Sequence, residues 1–296
     1  MAGRRLLELI IAIIAVALLF DFYNGMNDAA NSIATVVSTR VLRPLFAVAW
    51  AALFNFAAIF VYGVSVATTI GKGIVQPGIV DSTVILTGVV AAVFWLAIAT
   101  RRGIPLSASH CLIGGFVGAG LAAGGIQAIV TTGFITVIVF MFVAPLLGLA
   151  LGFVVMSSLY HVSKKMNPRR MDPLFGRLQL VSAAFYSLGH GGNDAQKTAG
   201  IITILLFATG YLGGEFFVPL WVLSLSYATI AVGTLTGGWR VIKTMGMRLT
   251  RLRPVNGFAA ETTGGLTLAM TALAGIPAST THVITGSIMG VGSVRR

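Results

Sequence analysis

Asp21-Phe22-Tyr23-Asn24-Gly25-Met26-Asn27-Asp28-Ala29-Ala30-Asn31-Ser32 follows directly on residues 6–20, which are apolar but for Glu8. Two carboxylates and three side-chain amides after such a run are costly in lipid unless they have partners and face a cavity. The motif returns: Asn27-Asp28-Ala29 recurs as Asn193-Asp194-Ala195, 166 positions later, and Gly25 pairs with Gly191. A second, longer match lies between Gly103-Ile104-Pro105-Leu106-Ser107-Ala108-Ser109-His110 and Gly275-Ile276-Pro277-Ala278-Ser279-Thr280-Thr281-His282, 172 positions apart. Gly114 and Gly118 then match Gly286 and Gly290. Two matches in the same order and at nearly the same offset indicate a duplicated half of about 170 residues.

The rest of the chain agrees with a membrane setting. Of its 296 residues, 56% are hydrophobic and only 9% are charged, against roughly a quarter charged in a soluble domain. Runs at 46–70, 79–100, 129–160 and 216–238 are long and nearly free of charge. Runs of about 18 or more such residues read as spanning helices, and a single small chain has no core large enough to bury them all. The first repeat divides into five units, 6–38, 45–70, 79–100, 104–125 and 129–160. Five is odd, so the second copy should enter from the opposite side. With residue 5 outside, sixteen of the twenty lysines and arginines fall in inside loops, three outside (Arg4, Arg5 and Lys72), and Lys197 lies within a membrane segment. A parallel arrangement would put the 240–253 cluster outside, so the positive-inside rule favours inversion. The +12 net charge thus reflects orientation rather than a nucleic-acid surface. The one cysteine, Cys111, excludes an intrachain disulfide. Arg4-Arg5 before an apolar stretch lacks a small-residue cleavage site and reads as a retained first helix.

The expected fold is an all-α polytopic membrane protein of two inverted-topology repeats with broken helices at the midplane. Residues 1–160 form the first repeat, 161–178 a basic cytoplasmic linker and 179–296 the second repeat. The partner of 129–160 would begin near residue 301, beyond Arg296. The second half is therefore expected to lack its last helix and to leave the 276–292 unit without a covering neighbour, unless the chain continues or a homodimer partner covers it.

The chemistry follows from the two motifs. Gly25 and the Gly189-His190-Gly191-Gly192 stretch permit an unwound backbone, which would place Asn27, Asp28, Asn193 and Asp194 at the start of new half-helices. Asp28 and Asp194 are then candidate sodium ligands, with amide and carbonyl oxygens at hand, or proton carriers. Asn and Asp are also ordinary helix N-caps, a role that by itself would not call for a carboxylate inside lipid. Pro105 and Pro277 stop one helix or open another. Ser107, Ala108 and Ser109, with Ser279, Thr280 and Thr281, place hydroxyl and backbone N–H donors at that helix start, a ready anion site; the plain alternative is again a Ser/Thr cap. His110 and His282 end each copy as structural residues, relays or anion contacts. Lys197 either faces the anion or snorkels to the interface. No Ser-His-Asp set, zinc spacing or nucleotide phosphate loop suggests an enzyme.

Together, the segment 25–31, the segment Gly192-Asn193-Asp194-Ala195-Gln196-Lys197 and the two Pro-x-Ser-x-x-His segments resemble the inorganic phosphate transporter family of the PiT or Pho4 type. The likeness covers nearly the whole chain, and Gln196-Lys197 is similar to bacterial members. It implies a secondary transporter of the plasma (inner) membrane, without cofactor, that carries inorganic phosphate, or a metal–phosphate complex, by symport with sodium or protons. By this resemblance Asn27 and Asn193 join the hydroxyl motif as phosphate ligands. Asp28, Asp194, Asn31 and Glu261 become coupling-ion residues, Glu261 through its match to a glutamate important in the family. Asn55 stands where animal members have a second such glutamate. A sulfate permease of the same family and a non-carrier anion channel are the alternatives.

The charge bias yields a direct test of topology. Lys165→Cys and Met247→Cys, each in a Cys111→Ser background, should resist impermeant thiol reagents in intact cells. Labelling at either position would overturn the inverted arrangement.

Overall fold

The computed structural model of the chain describes residues 2–163, 166–248 and 252–294. Lys164, Lys165, Arg251, Arg295 and Arg296, which entered the orientation count, lie outside them. Among the described residues the structure is helical, with one isolated antiparallel bridge between Val75 and Ile129. The helices run in order α1 (Ala2–Ser38), α2 (Pro44–Ala57), α3 (Ser65–Lys72), α4 (Ser82–Arg102), α5 (Ala108–Gly124), α6 (Thr131–Ser163), α7 (Pro168–Ala208), α8 (Leu220–Thr236), α9 (Trp239–Arg248), α10 (Pro254–Leu273) and α11 (Thr280–Ser293). Residues 168–178, expected as linker, are the first turns of α7, opened by Pro168 where a missing N–H costs nothing.

The element order repeats, a long helix, a bent pair and then two helices split by the Gly-Ile-Pro segment. The bends are 82° between Pro44–Phe60 and α3, and 72° between α8 and Trp239–Met245. Taken alone, α1, α4, α6 and the segment Ala108–Ala128 are long and apolar enough to cross a bilayer, and each bent pair qualifies as one more span. α7 and α10 are more polar because their polar side chains turn inward, Asn193, Asp194 and Lys197 on α7 and Glu261 on α10 all being buried.

One expectation fails here. α1 and α7 are continuous helices through both Asn-Asp motifs. Their glycines serve close helix approach rather than unwinding. A Cβ at Gly25 would collide with the Ile230 carbonyl of α8, and one at Gly191 with the backbone of Asn55 on α2. The breaks lie instead at 103–107 and 275–279, where Gly103 and Gly275 take φ of 69°, a left-handed helix stop that favours glycine.

The packing is crossed between the halves. α1 packs on α8, α2 on α7, and α6 on α11. At the last crossing Gly148 and Gly152 of α6 meet the backbone at Val283 and Ser287, while Gly286 and Gly290 of α11 meet Pro145 and Leu149. Close backbone approach of this kind holds membrane helices together where lipid removes the hydrophobic drive. The 276–292 unit is therefore covered, contrary to expectation, and by the first half's own last helix. The counterpart face is the one left open. A Cβ at Gly114 or Gly118 of α5 would meet open space among the described residues, and both line a groove of about 710 Å³ between α4 and α5.

This asymmetry predicts opposite outcomes for matched substitutions. Gly290→Val should destabilise the protein by about 1–3 kcal/mol through overpacking against Leu149, whereas Gly118→Val, with the same change in helix propensity, should leave that contact untouched. Thermal unfolding in detergent measures both, and equal melting temperatures would contradict the crossing.

Candidate functional site

Each Gly-Ile-Pro segment ends in a capped helix. Ser107 Oγ accepts from His110 N at 3.3 Å, and Ser279 Oγ accepts from His282 N at 3.3 Å. These two serines are thus N-caps of α5 and α11, as the plainer reading of the motif holds. The caps bring the two helix starts together. Ser109 Oγ donates to the Ala278 carbonyl (3.1 Å), Thr281 Oγ1 reaches the Leu106 carbonyl (3.5 Å), and the His110 and His282 rings meet edge to face at 4.7 Å. Two helix N-termini, each carrying partial positive charge, therefore converge, with Ala108 buried beneath.

α1 and α7 deliver their polar side chains to this junction. Both asparagines of the repeat bind the break of their own half. Asn193 donates to Thr271 Oγ1 (3.3 Å) and accepts from Ala278 N (3.2 Å). The Asn27 amide contacts Thr100 Oγ1 at 3.0 Å and, with its nitrogen turned to the acceptors, donates to the Leu106 carbonyl at 3.2 Å. The next side chains reach across to the other half. Asn31 Nδ2 donates to Thr281 Oγ1 (2.9 Å), and Thr280 Oγ1 donates to Asp28 Oδ2 (2.8 Å). Thr280 Oγ1 also lies 3.2 Å from Asp194 Oδ2. Lys197 does not snorkel. It is 1% exposed, and its Nζ donates to Asp194 Oδ1 (2.5 Å), Ser109 Oγ (2.6 Å) and the Ala278 carbonyl (2.7 Å).

His190 completes the cluster. Its Nδ1 meets Asn55 Oδ1 at 3.0 Å, which turns Nε2 to 3.3 Å from Asp194 Oδ2 and 3.7 Å from Asp28 Oδ2. Ligand atoms of Asp28, His190 and Asp194 all lie within 4.8 Å of one another. Around Asp28 the other neighbours are its own carboxylate, two threonine hydroxyls, a backbone carbonyl and the Asn27 amide, whose nitrogen lies 3.3 Å from Asp28 Oδ1 and whose oxygen can take the same place. That is hard-cation chemistry, while the lysine ammonium occupies the Asp194 side. Sequence reasoning gave His190 no role. Its spacing of one turn before Asp194, which puts the two on one helix face, was the available signal. Asn55 acts here as the residue that orients His190 and is itself held by donating to Thr234 Oγ1 (3.0 Å).

The structure brings Asn27, Asp28, Asn31, Asn193, Asp194, Lys197, Ser109, Thr280 and Thr281 together. Glu261 has a separate set of partners. Its carboxylate, wholly buried, accepts from Thr35 Oγ1 (2.5 Å), Ser182 Oγ (2.6 Å) and Gln179 Nε2 (3.0 Å), tying α10 to α1 and α7. Asp21, also buried, has no hydrogen-bond partner among the described residues.

The model of the phosphate transporter family matches residues 24–296. A probable low-affinity inorganic phosphate transporter of Rhizobium meliloti is 52% identical over 288 residues, covering 97% of this chain and 86% of that protein. A protein of the same description from Bacillus subtilis is 41% identical over 293 residues, covering 98% and 88%. A solved structure, described as the sodium-dependent phosphate transporter, superposes with a TM-score of 0.90 at 26% identity, covering 97% of this chain and 90% of that one.

The three donors converging on Glu261 give a test of its part. Glu261→Ala strands them in the interior at about 1–3 kcal/mol each, so thermal unfolding should shift far more for Glu261→Ala than for Glu261→Gln. Unchanged stability together with lost phosphate uptake would make Glu261 a ligand rather than a strut.

Proposed function

Because the chain belongs to the phosphate transporter family, we propose that the junction of α1, α5, α7 and α11 binds inorganic phosphate together with a coupling cation, and that the two cross the plasma membrane as a symport. The chain is a multi-pass helical membrane protein of a family of phosphate carriers, not an enzyme. The observation that carries the finer reading is the meeting of two capped helix N-termini beside a pair of buried carboxylates. The N-termini, with the hydroxyls of Ser109, Thr280 and Thr281, supply donors for a tetrahedral oxyanion. The asparagines Asn27 and Asn193 fix the two breaks that carry those donors.

The carboxylates explain both coupling and choice of anion. Asp28 and Asp194 repel an approaching phosphate in a site where charge is poorly screened. A sodium ion or proton on this pair removes the repulsion, so anion and cation bind best together. A carboxylate oxygen also accepts a hydrogen bond from a protonated phosphate. Sulfate has no proton to give at neutral pH, so it would leave that acceptor facing a second anion. A buried group left unpaired in the wrong complex is the usual source of such discrimination. This favours phosphate over sulfate in the hydroxyl site, which either anion's shape would fit.

Proteoliposomes test the reading. Labelled phosphate should accumulate under an imposed sodium or proton gradient, resist competition by sulfate, and show counterflow, which an anion channel does not. Asp28→Asn and Asp194→Asn should each abolish coupled uptake in folded protein. Alanine at Ser109, Thr280 or Thr281 should raise the apparent KM about fivefold, from roughly 1 kcal/mol per lost hydrogen bond. Near-normal coupled uptake in both aspartate variants would reject the site.

A further inference from the structure

The two halves of the site share a framework but differ in what fills it. Asn27-Asp28-Ala29-Ala30-Asn31 aligns with Asn193-Asp194-Ala195-Gln196-Lys197, so Lys197 stands where the first half has Asn31. Ser109 likewise aligns with Thr281, and Leu106 with Ala278. Each half therefore offers a carboxylate, a hydroxyl from the opposite half and the break carbonyl beside it. In the second half the three oxygens, of Asp194, Ser109 and Ala278, all lie 2.5–2.7 Å from one atom, Lys197 Nζ. That places a single positive charge at the centre of an oxygen cage, with each of its three N–H groups used.

In the first half no ammonium is present. Asn31 reaches the hydroxyl alone, at 2.9 Å. The equivalent oxygens remain, with Thr281 Oγ1 3.4 Å from Asp28 Oδ1 and 3.5 Å from the Leu106 carbonyl, and they are bridged by the neutral Asn27 amide, 3.3 Å from Asp28 Oδ1 and 3.2 Å from that carbonyl, which can turn its oxygen toward an entering cation. The Thr281 separations are long for O–H···O hydrogen bonds, which favour about 2.7–2.8 Å. They match the edges of an oxygen cage around a hard cation held at about 2.4 Å. His190 sits between the two carboxylates and belongs to neither cage.

We infer that Lys197 is a tethered cation that permanently occupies one of two equivalent cation positions, leaving the Asp28 position as the single one that a mobile coupling cation enters with each phosphate. The inference rests on the transport reading and adds a stoichiometry to it. A lysine that cannot leave cannot carry charge across over a complete cycle. It keeps Asp194 neutralised for the anion without consuming an ion gradient. Restoring the amide at this position reopens the second cage, and placing a lysine at residue 31 closes the first.

The experiment counts charge. In proteoliposomes with an imposed membrane potential, the phosphate gradient at zero net flux gives the net charge moved per phosphate, whichever cation couples. Lys197→Asn should move one more positive charge per phosphate than the natural sequence, and Asn31→Lys one fewer, with phosphate exchange persisting in the absence of the coupling cation. An unchanged charge in Lys197→Asn overturns the inference. If that variant binds phosphate without moving it, sodium and proton uptake on adding phosphate to the purified protein replaces the flux readout, and a count equal to that of the natural sequence overturns the inference as well. Counterflow by the unmodified protein separates the two levels. No phosphate exchange there refutes the transport reading itself, whereas exchange with an unchanged charge count refutes only the role of Lys197.

Discussion

Two carboxylates buried a short distance apart inside a bundle of apolar helices set the terms for everything around them. Asp28 and Asp194 are each about 1% exposed or less, and a buried charge is tolerated only when it is paired and hydrogen-bonded. The chain meets that demand with groups drawn from both halves. Thr280 bridges the pair, Lys197 takes one side of Asp194, and His190 is steered between them by Asn55. The breaks at 103–107 and 275–279 exist to bring hydroxyls and helix starts to this place. The long helices can then stay regular, because the irregular backbone is supplied by other segments, of which 275–279 is largely buried in protein while Ile104 and Pro105 of the first are exposed.

The doubling of the chain and the residues gathered at the junction were legible in the sequence because duplication preserves motifs at a fixed offset. The location of the helix breaks was only half legible. Glycine beside a polar motif admits two explanations, an unwound backbone or a close helix contact. Nothing local to Gly25 tells them apart, since the deciding atom is the Ile230 carbonyl, far along the chain. The Gly-Ile-Pro segments were less ambiguous, because proline and a left-handed glycine together forbid continuation. The same non-locality hid the cover on α11. Reading the two halves as separate units assigns each final helix to its own repeat, whereas α6 packs on the other one. His190 was overlooked because a lone histidine among glycines carries no ligand spacing until the second carboxylate is brought near by the fold.

The resemblance between the halves also sharpens what differs between them. Where two copies of a motif build one site, each substitution in one copy is read against the other as an internal control. Asn31 against Lys197 is such a difference, as is Asn24 against His190. Neither disturbs the backbone framework, and both change which charges the junction holds. Specialisation of a duplicated site has here proceeded by altering side chains within helices whose crossings are fixed by glycine.

The crossed packing has a consequence for how the protein is made. The hydrogen bond between Asp28 and Thr280 joins residues 252 positions apart. At the usual pace of synthesis, about 5–20 residues per second, α1 waits some tens of seconds in the bilayer before its carboxylate meets its partner. During that interval a charged group sits on a helix that must already be inserted. The insertion machinery, or water drawn in beside it, has to shelter Asp28 until the second half emerges. The late-arriving α11 is thus the element that completes the pairing of Asp28.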